Sequence, residues 1–147
     1  MKLSTKVRYG ARALLDLAQH YDNTPVLLKD IAKRQDISLK YLDRILSSLR
    51  AAGIVKTVRG AKGGYVLAKP PSEVNLRQIV EAIEGRLELV ECLRNKNYCK
   101  RVNSCVMHDI WDELGDSMDS LLARTTLESL MSKEKEKLAS SEKMYYI

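Results

Sequence analysis

Through the first fifty positions the apolar residues recur at helical spacing, and they then give way to two short β-type runs. Val7, Ala11, Leu14, Leu15, Leu17, Ala18 and Tyr21 fall on one face of a helix over 4–21. Ser4 or Thr5 is its cap, and Asp22-Asn23-Thr24-Pro25 is its stop. A short helix over 28–34 turns Leu28, Ile31 and Ala32 inward. The turn Gln35-Asp36-Ile37 then leads to a longer helix, 38–52, with the stripe Leu39, Leu42, Ile45, Leu46 and Leu49, and Gly53 ends it. IVKTVR (54–59) and YVLA (65–68) flank GAKGG, which predicts a β-hairpin with a flexible, glycine-rich tip. Helix, short helix, turn, helix, hairpin is the order of a winged helix-turn-helix.

Past Pro70-Pro71 the pattern changes. Leu76, Ile79, Val80 and Ile83 predict a short helix ended by Gly85, followed by the polar stretch ECLRNKNYCKRVNSCVMHDIW at 91–111. From Met107 onward the apolar positions 107, 110, 111, 114, 118, 121 and 122 form one long stripe. A chain this short offers such a helix little to bury against, so the same helix of a second copy is its expected cover. Thr125-Thr126 reads as the cap of a final helix holding Leu127, Leu130 and Met131. The charge-rich residues after it read as a frayed or disordered tail.

Composition narrows the class. With 147 residues, 45% of them hydrophobic, the chain can bury one good core, which argues against a multi-domain enzyme. The opening MKLSTKVRYGARALL holds neither a signal peptide nor a membrane span, so a cytoplasmic protein with reduced cysteines is expected. The net charge of +6 is unevenly spread: residues 1–69 carry 14 Lys/Arg against 5 Asp/Glu, and residues 70–147 carry 11 against 14. A basic excess confined to the winged-helix half points to a polyanion, most often nucleic acid, although a solvated surface accounts for charge alone equally well.

On helix 38–52 the core stripe leaves Ser38, Lys40, Tyr41, Arg44, Ser47 and Ser48 facing outward, donors suited to base edges and phosphates in a major groove. Ser38 also reads as the N-cap. Lys40 and Arg44 each match an ordinary solvated face, whereas an outward Tyr41 has no core to fill. In the hairpin, Gly63 and Gly64 let backbone approach a partner, and Arg59 at the base of the tip is placed to enter a minor groove. GAKGG lacks the spacing of a nucleotide-binding loop. Asp43, beside Tyr41 and Arg44, is read as disfavouring some DNA sequences by repulsion.

All three cysteines, Cys92, Cys99 and Cys105, lie with His108 inside seventeen positions. Six residues separate the first pair, five the second, and two lie between Cys105 and His108. Thiolates are the usual ligands of iron-sulfur clusters, with an imidazole raising the potential. Structural zinc uses the same atoms, usually at closer cysteine spacing, and a catalytic Cys-His pair needs an orienting third group that the sequence does not supply. The spacing ranks a cluster above zinc, and zinc above free-thiol redox sensing.

Taken together, MKLSTKVRYGARALLDLA, LLKDIAKRQDISLKYLDRILSSLRAAGIV, VRGAKGGYVLAKP, QIVEAIEG and the Cys-Cys-Cys-His stretch before a long helix resemble the IscR-type iron-sulfur winged-helix transcription regulators. The resemblance implies a mainly α fold with a small β-hairpin: a winged helix-turn-helix over 1–71, a cluster-binding loop and dimerisation helices over 72–131, and a flexible tail over 132–147. It implies a homodimer on double-stranded DNA of dyad symmetry, DNA contacts from Ser38, Tyr41 and Arg44, and a minor-groove role for Arg59. It also implies a 2Fe-2S cluster on Cys92, Cys99, Cys105 and His108, ahead of 4Fe-4S or zinc, and no membrane. The first cysteine gap is one residue longer than the IscR-type pattern. Relatives with a 4Fe-4S cluster recruit an acidic residue near the N-terminus, where this chain has Arg8, which leaves His108 as the favoured fourth ligand. The competing expectation is a zinc-stabilised or cluster-free adaptor that binds a protein partner, such as an enzyme of cysteine metabolism.

Overall fold

The computed structural model describes residues 2–22 and 24–145; Asn23, in the expected stop of the first helix, lies outside them. Among the described residues seven helices and one hairpin follow in order: α1 (Thr5–Gln19), α2 (Leu28–Gln35), α3 (Leu39–Ala51), β1 (Val55–Val58), β2 (Gly64–Leu67), α4 (Leu76–Glu84), α5 (Glu91–Arg94), α6 (Val106–Arg124) and α7 (Leu127–Tyr145). Single 3-10 turns cover Pro71–Glu73 and Val102–Ser104. The fold is therefore mainly α with one antiparallel hairpin, as the sequence leads one to expect.

Local chemistry starts and stops these helices. Ser4 Oγ accepts from Val7 N–H and Ser38 Oγ from Tyr41 N–H, each satisfying a donor that a helix start leaves unpaired. Asn75 and Gln78 form a reciprocal capping box at α4, and Gly85 ends that helix at a φ of 81°. Thr126 Oγ1 accepts from Ser129 N–H at the start of α7. Asp36 takes a left-handed conformation, φ 53°, and so makes the sharp turn between α2 and α3.

The core is built around α1. Ala13, Leu14, Leu17 and Ala18 meet Ile31, Leu42, Ile45, Leu46 and Leu49 of the helix-turn-helix, together with Ile79 of α4 and Leu127 of α7. The buried face of α1 differs from the expected stripe: Gly10, Ala13 and Asp16 are buried, Ala11 and Leu15 are half-buried, and Tyr21 is exposed. Several elements pack on this helix, so its buried arc is wider than one apolar stripe. Gly10 marks a crossing; a Cβ there would stand 2.5 Å from Ile83 Cδ1 and 3.2 Å from Ile45 Cγ2.

The second half is stitched to the first by backbone as well. Leu76 N–H donates to Thr125 O at 2.9 Å and Leu127 N–H to Val74 O at 2.8 Å, joining the starts of α4 and α7. The side chain of Gln19 in α1 donates to Glu134 in α7. Where the sequence reads a frayed tail from residue 132, α7 instead continues as helix to Tyr145. Its Lys, Glu, Ala and Leu are strong helix formers, which carry the helix on past its buried start.

Candidate nucleic-acid interface and cysteine segment

The hairpin pairs Val55 with Leu67, Lys56 with Val66, Thr57 with Tyr65 and Val58 with Gly64. Val26, just before α2, adds a bridge to Tyr65, with N–H···O distances of 2.8 and 2.9 Å in the two directions. This bridge uses the glycines differently from the expectation that they admit a partner. A Cβ on Gly64 would meet Val26 O at 2.4 Å, and one on Gly63 would meet Val58 O at 2.2 Å. Both therefore serve close approach of the chain to itself. The tip residues Arg59, Gly60, Ala61 and Lys62 remain exposed.

Each outward residue expected on the recognition helix has a definite setting. Ser38 is exposed and caps α3. Lys40 and Arg44 are exposed, and among the described residues neither they nor Arg59 forms an ion pair. Tyr41 is half-buried, contrary to the reading that it has no core to fill: its ring stands edge-on to Tyr9 of α1, centroids 6.0 Å apart at 86°. Arg12 lies 5.5 Å over the same Tyr9 ring and donates to the Gln35 carbonyl and, at 3.2 Å, to Gln35 Oε1. Tyr41 is thereby held in the first turn of α3. Asp43 accepts from Tyr65 OH at 3.5 Å, a contact between α3 and the hairpin. Burial, reinforced by the Asp43 charge, raises the Tyr65 hydroxyl above its ordinary value.

A buried acid anchors the helix-turn-helix. Asp16, 2% exposed, accepts from Arg34 Nε at 2.9 Å, Arg34 Nη2 at 2.6 Å and Gln35 Nε2 at 3.0 Å. Burial pushes its carboxyl up, but the bonds from Arg34 and Gln35, with the charges of Arg34 and His20, outweigh this and hold it below the ordinary carboxylate value. An acidic residue on an apolar face gave this anchor no sequence signal. All fourteen Lys and Arg side chains of residues 1–69 are exposed, so the basic excess is a surface property of this half.

The cysteine segment is less committed. Cys92 lies in α5, Cys99 in the irregular stretch that follows it, Cys105 at the N-cap of α6 and His108 in its first turn, where His108 N–H donates to Cys105 O at 3.0 Å. All three thiols are free, and all four side chains are half-buried. Among the described residues no three His, Cys, Asp or Glu side chains converge to hold a metal ion, so the structure does not gather the four. The donor set itself fits a thiolate centre with one imidazole, and Arg94, Lys96, Lys100 and Arg101 lie in the same segment.

Beyond His108, α6 has no buried residue. Gly115, Met118 and Leu122 line a small cleft against Val80 of α4, where Arg77 Nε bonds Asp119 Oδ1 at 3.1 Å. Met107, Ile110, Leu114 and Leu121 project outward, each between 45% and 52% exposed. Among the described residues no helix is long and apolar enough to cross a membrane.

Comparison with known proteins identifies the architecture. The family model of Rrf2, described as an iron-dependent transcriptional regulator, matches residues 3–133. The chain belongs to the Rrf2 family. It is 37% identical over 134 residues to the HTH-type transcriptional regulator IscR of Photorhabdus laumondii, covering 91% of this chain and 81% of the relative. The solved structure of CymR, the global cysteine regulator of B. subtilis, superposes with a TM-score of 0.77 at 36% identity, over 90% of this chain and 98% of CymR. IscR of T. potens superposes with a TM-score of 0.76 at 36% identity, over 93% and 90%. This Rrf2 protein is accordingly a winged-helix, DNA-binding transcription regulator of the IscR type and not an enzyme.

Proposed function

We propose that the protein acts as a homodimer on dyad-symmetric DNA and that a 2Fe-2S cluster held by Cys92, Cys99, Cys105 and His108 controls its binding. The observation that carries this reading is the position of the four donors: they end on the first turn of α6, the helix whose apolar face lacks a cover. Closing residues 92–105 around a cluster would fix the start of α6. The outward Met107, Ile110, Leu114 and Leu121 repeat at spacings of three, four and seven, a seam suited to the same helix of a second copy. Pairing there sets the distance between two α3 helices, which on B-DNA is about 34 Å, one turn.

In each subunit Ser38, Lys40, Tyr41 and Arg44 contact the major groove and phosphates, and Arg59 enters the minor groove. Free thiols suit a cytoplasmic sensor of iron-sulfur or redox status. Iron and sulfide analysis with a visible spectrum, on protein purified without oxygen, tests the cluster. Coloured protein with about two irons per chain supports it, and His108→Ala should alter the absorption. Colourless protein with stoichiometric zinc refutes it.

A second reading is favoured by the free, ungathered thiols and the fold shared with a cysteine regulator. On it the protein binds DNA without a cluster and takes its signal from a protein partner. Metal-free chain that binds its DNA as tightly as chain purified without oxygen would select that reading.

A further inference from the structure

The sequence assigns Leu39 to the core stripe of α3, but the structure does not bury it. Leu42, Leu46 and Leu49 are fully buried, whereas Leu39 is 52% exposed. Seven residues, about two helical turns, separate Leu39 from Leu46, so the two share a face. Leu39 is the first residue of α3, between exposed Ser38 and exposed Lys40, and it is not among the apolar side chains packed on the core. That end of a recognition helix reaches base edges in the major groove. The bases present donors and acceptors there and one apolar group, the thymine 5-methyl.

We propose that Leu39 is a specificity-determining residue that reads a thymine in each half-site by packing on its 5-methyl group. This rests on α3 being the recognition helix, and it adds an apolar reader to the polar set of Ser38, Lys40 and Arg44. Lys40 and Arg44 hold phosphates or purine edges; Leu39 supplies contact that only a methyl-bearing base rewards.

The probe is a duplex selected by the wild-type chain from random-sequence DNA, with each thymine replaced singly by uracil. Uracil keeps every pairing and hydrogen-bonding group and removes only the methyl. The replacement that removes the contacted methyl should weaken wild-type binding about four-fold, the effect of roughly one buried methyl group. Leu39→Gln, close to leucine in length, should bind the thymine and uracil duplexes alike, and Leu39→Met should restore the difference. Both variants should melt with the wild type, because the side chain they alter is half exposed. Equal wild-type binding to all the uracil duplexes, selected half-sites without thymine, or the same sensitivity in Leu39→Gln would overturn the assignment. Failure to select any duplex would overturn the DNA reading as well.

Discussion

The winged-helix half and the α6 region are built from similar proportions of apolar residues but use them in opposite ways. Around α1 the leucines and isoleucines are closed off from water, Asp16 is bonded to Arg34 and Gln35, and Gly63 and Gly64 of the wing lie against neighbouring backbone. In α6 no residue is buried, and the thiols ahead of it are free. The first region is complete within one chain. The second has free thiols and an outward apolar seam, which the proposed cluster and a second copy of the chain would cover.

The contrast can be tested by treating the two regions alike. Leu46→Ala, at a fully buried site in α3, should lower stability by about 2–5 kcal/mol, read from the urea midpoint. A smaller loss, about 1.5–3 kcal/mol and towards the lower end because Arg34 is partly exposed, is expected for Arg34→Ala, which leaves the buried Asp16 carboxylate short of its donor. The same pair fixes an acid response. Asp16 titrates below its ordinary 3.8 in the folded chain, so the stability it contributes is complete above that value and is lost as pH falls through the lower folded value. Asp16→Asn should therefore flatten the fall of the urea midpoint below about pH 3.8.

Arg59→Ala should leave folding untouched and weaken specific DNA binding by about 1–3 kcal/mol, measured by titration at fixed salt. The smallest effect on the fold belongs to α6: Leu114→Ala, at a 45% exposed site, should change monomer stability by less than about 0.5 kcal/mol. Sedimentation should nevertheless find its dimer weakened. If Leu114→Ala unfolds the chain as Leu46→Ala does, the two regions are not built differently.

Much of the fold was legible because its signals are local. Ser38, Thr126 and Gly85 announce helix ends by their own chemistry, and the runs flanking GAKGG announce the hairpin. What escaped depends on tertiary placement. Periodicity puts Leu39 and Leu46 on one face, but only the position of α1 and α2 decides that one is covered and the other is not. Tyr41 looked outward because its partner, Tyr9, is thirty-two positions away. Asp43, read as a repulsive group facing DNA, also accepts from Tyr65 OH of the wing at 3.5 Å, a contact between residues in different elements. The candidate ligands were named by spacing, which gives donor chemistry but not convergence, and the segment between them folds into α5 and a 3-10 turn that no period marked.

The central claim, that the cysteine segment governs the winged helix, is tested most directly by DNA affinity at one salt concentration with and without iron. Chain purified without oxygen and chain stripped by a chelator should differ at least about ten-fold on a selected duplex, roughly 1.4 kcal/mol of coupling. Cys105→Ala should bind like the stripped protein in both preparations. Equal affinity of loaded, stripped and Cys105→Ala protein for every duplex would contradict the account.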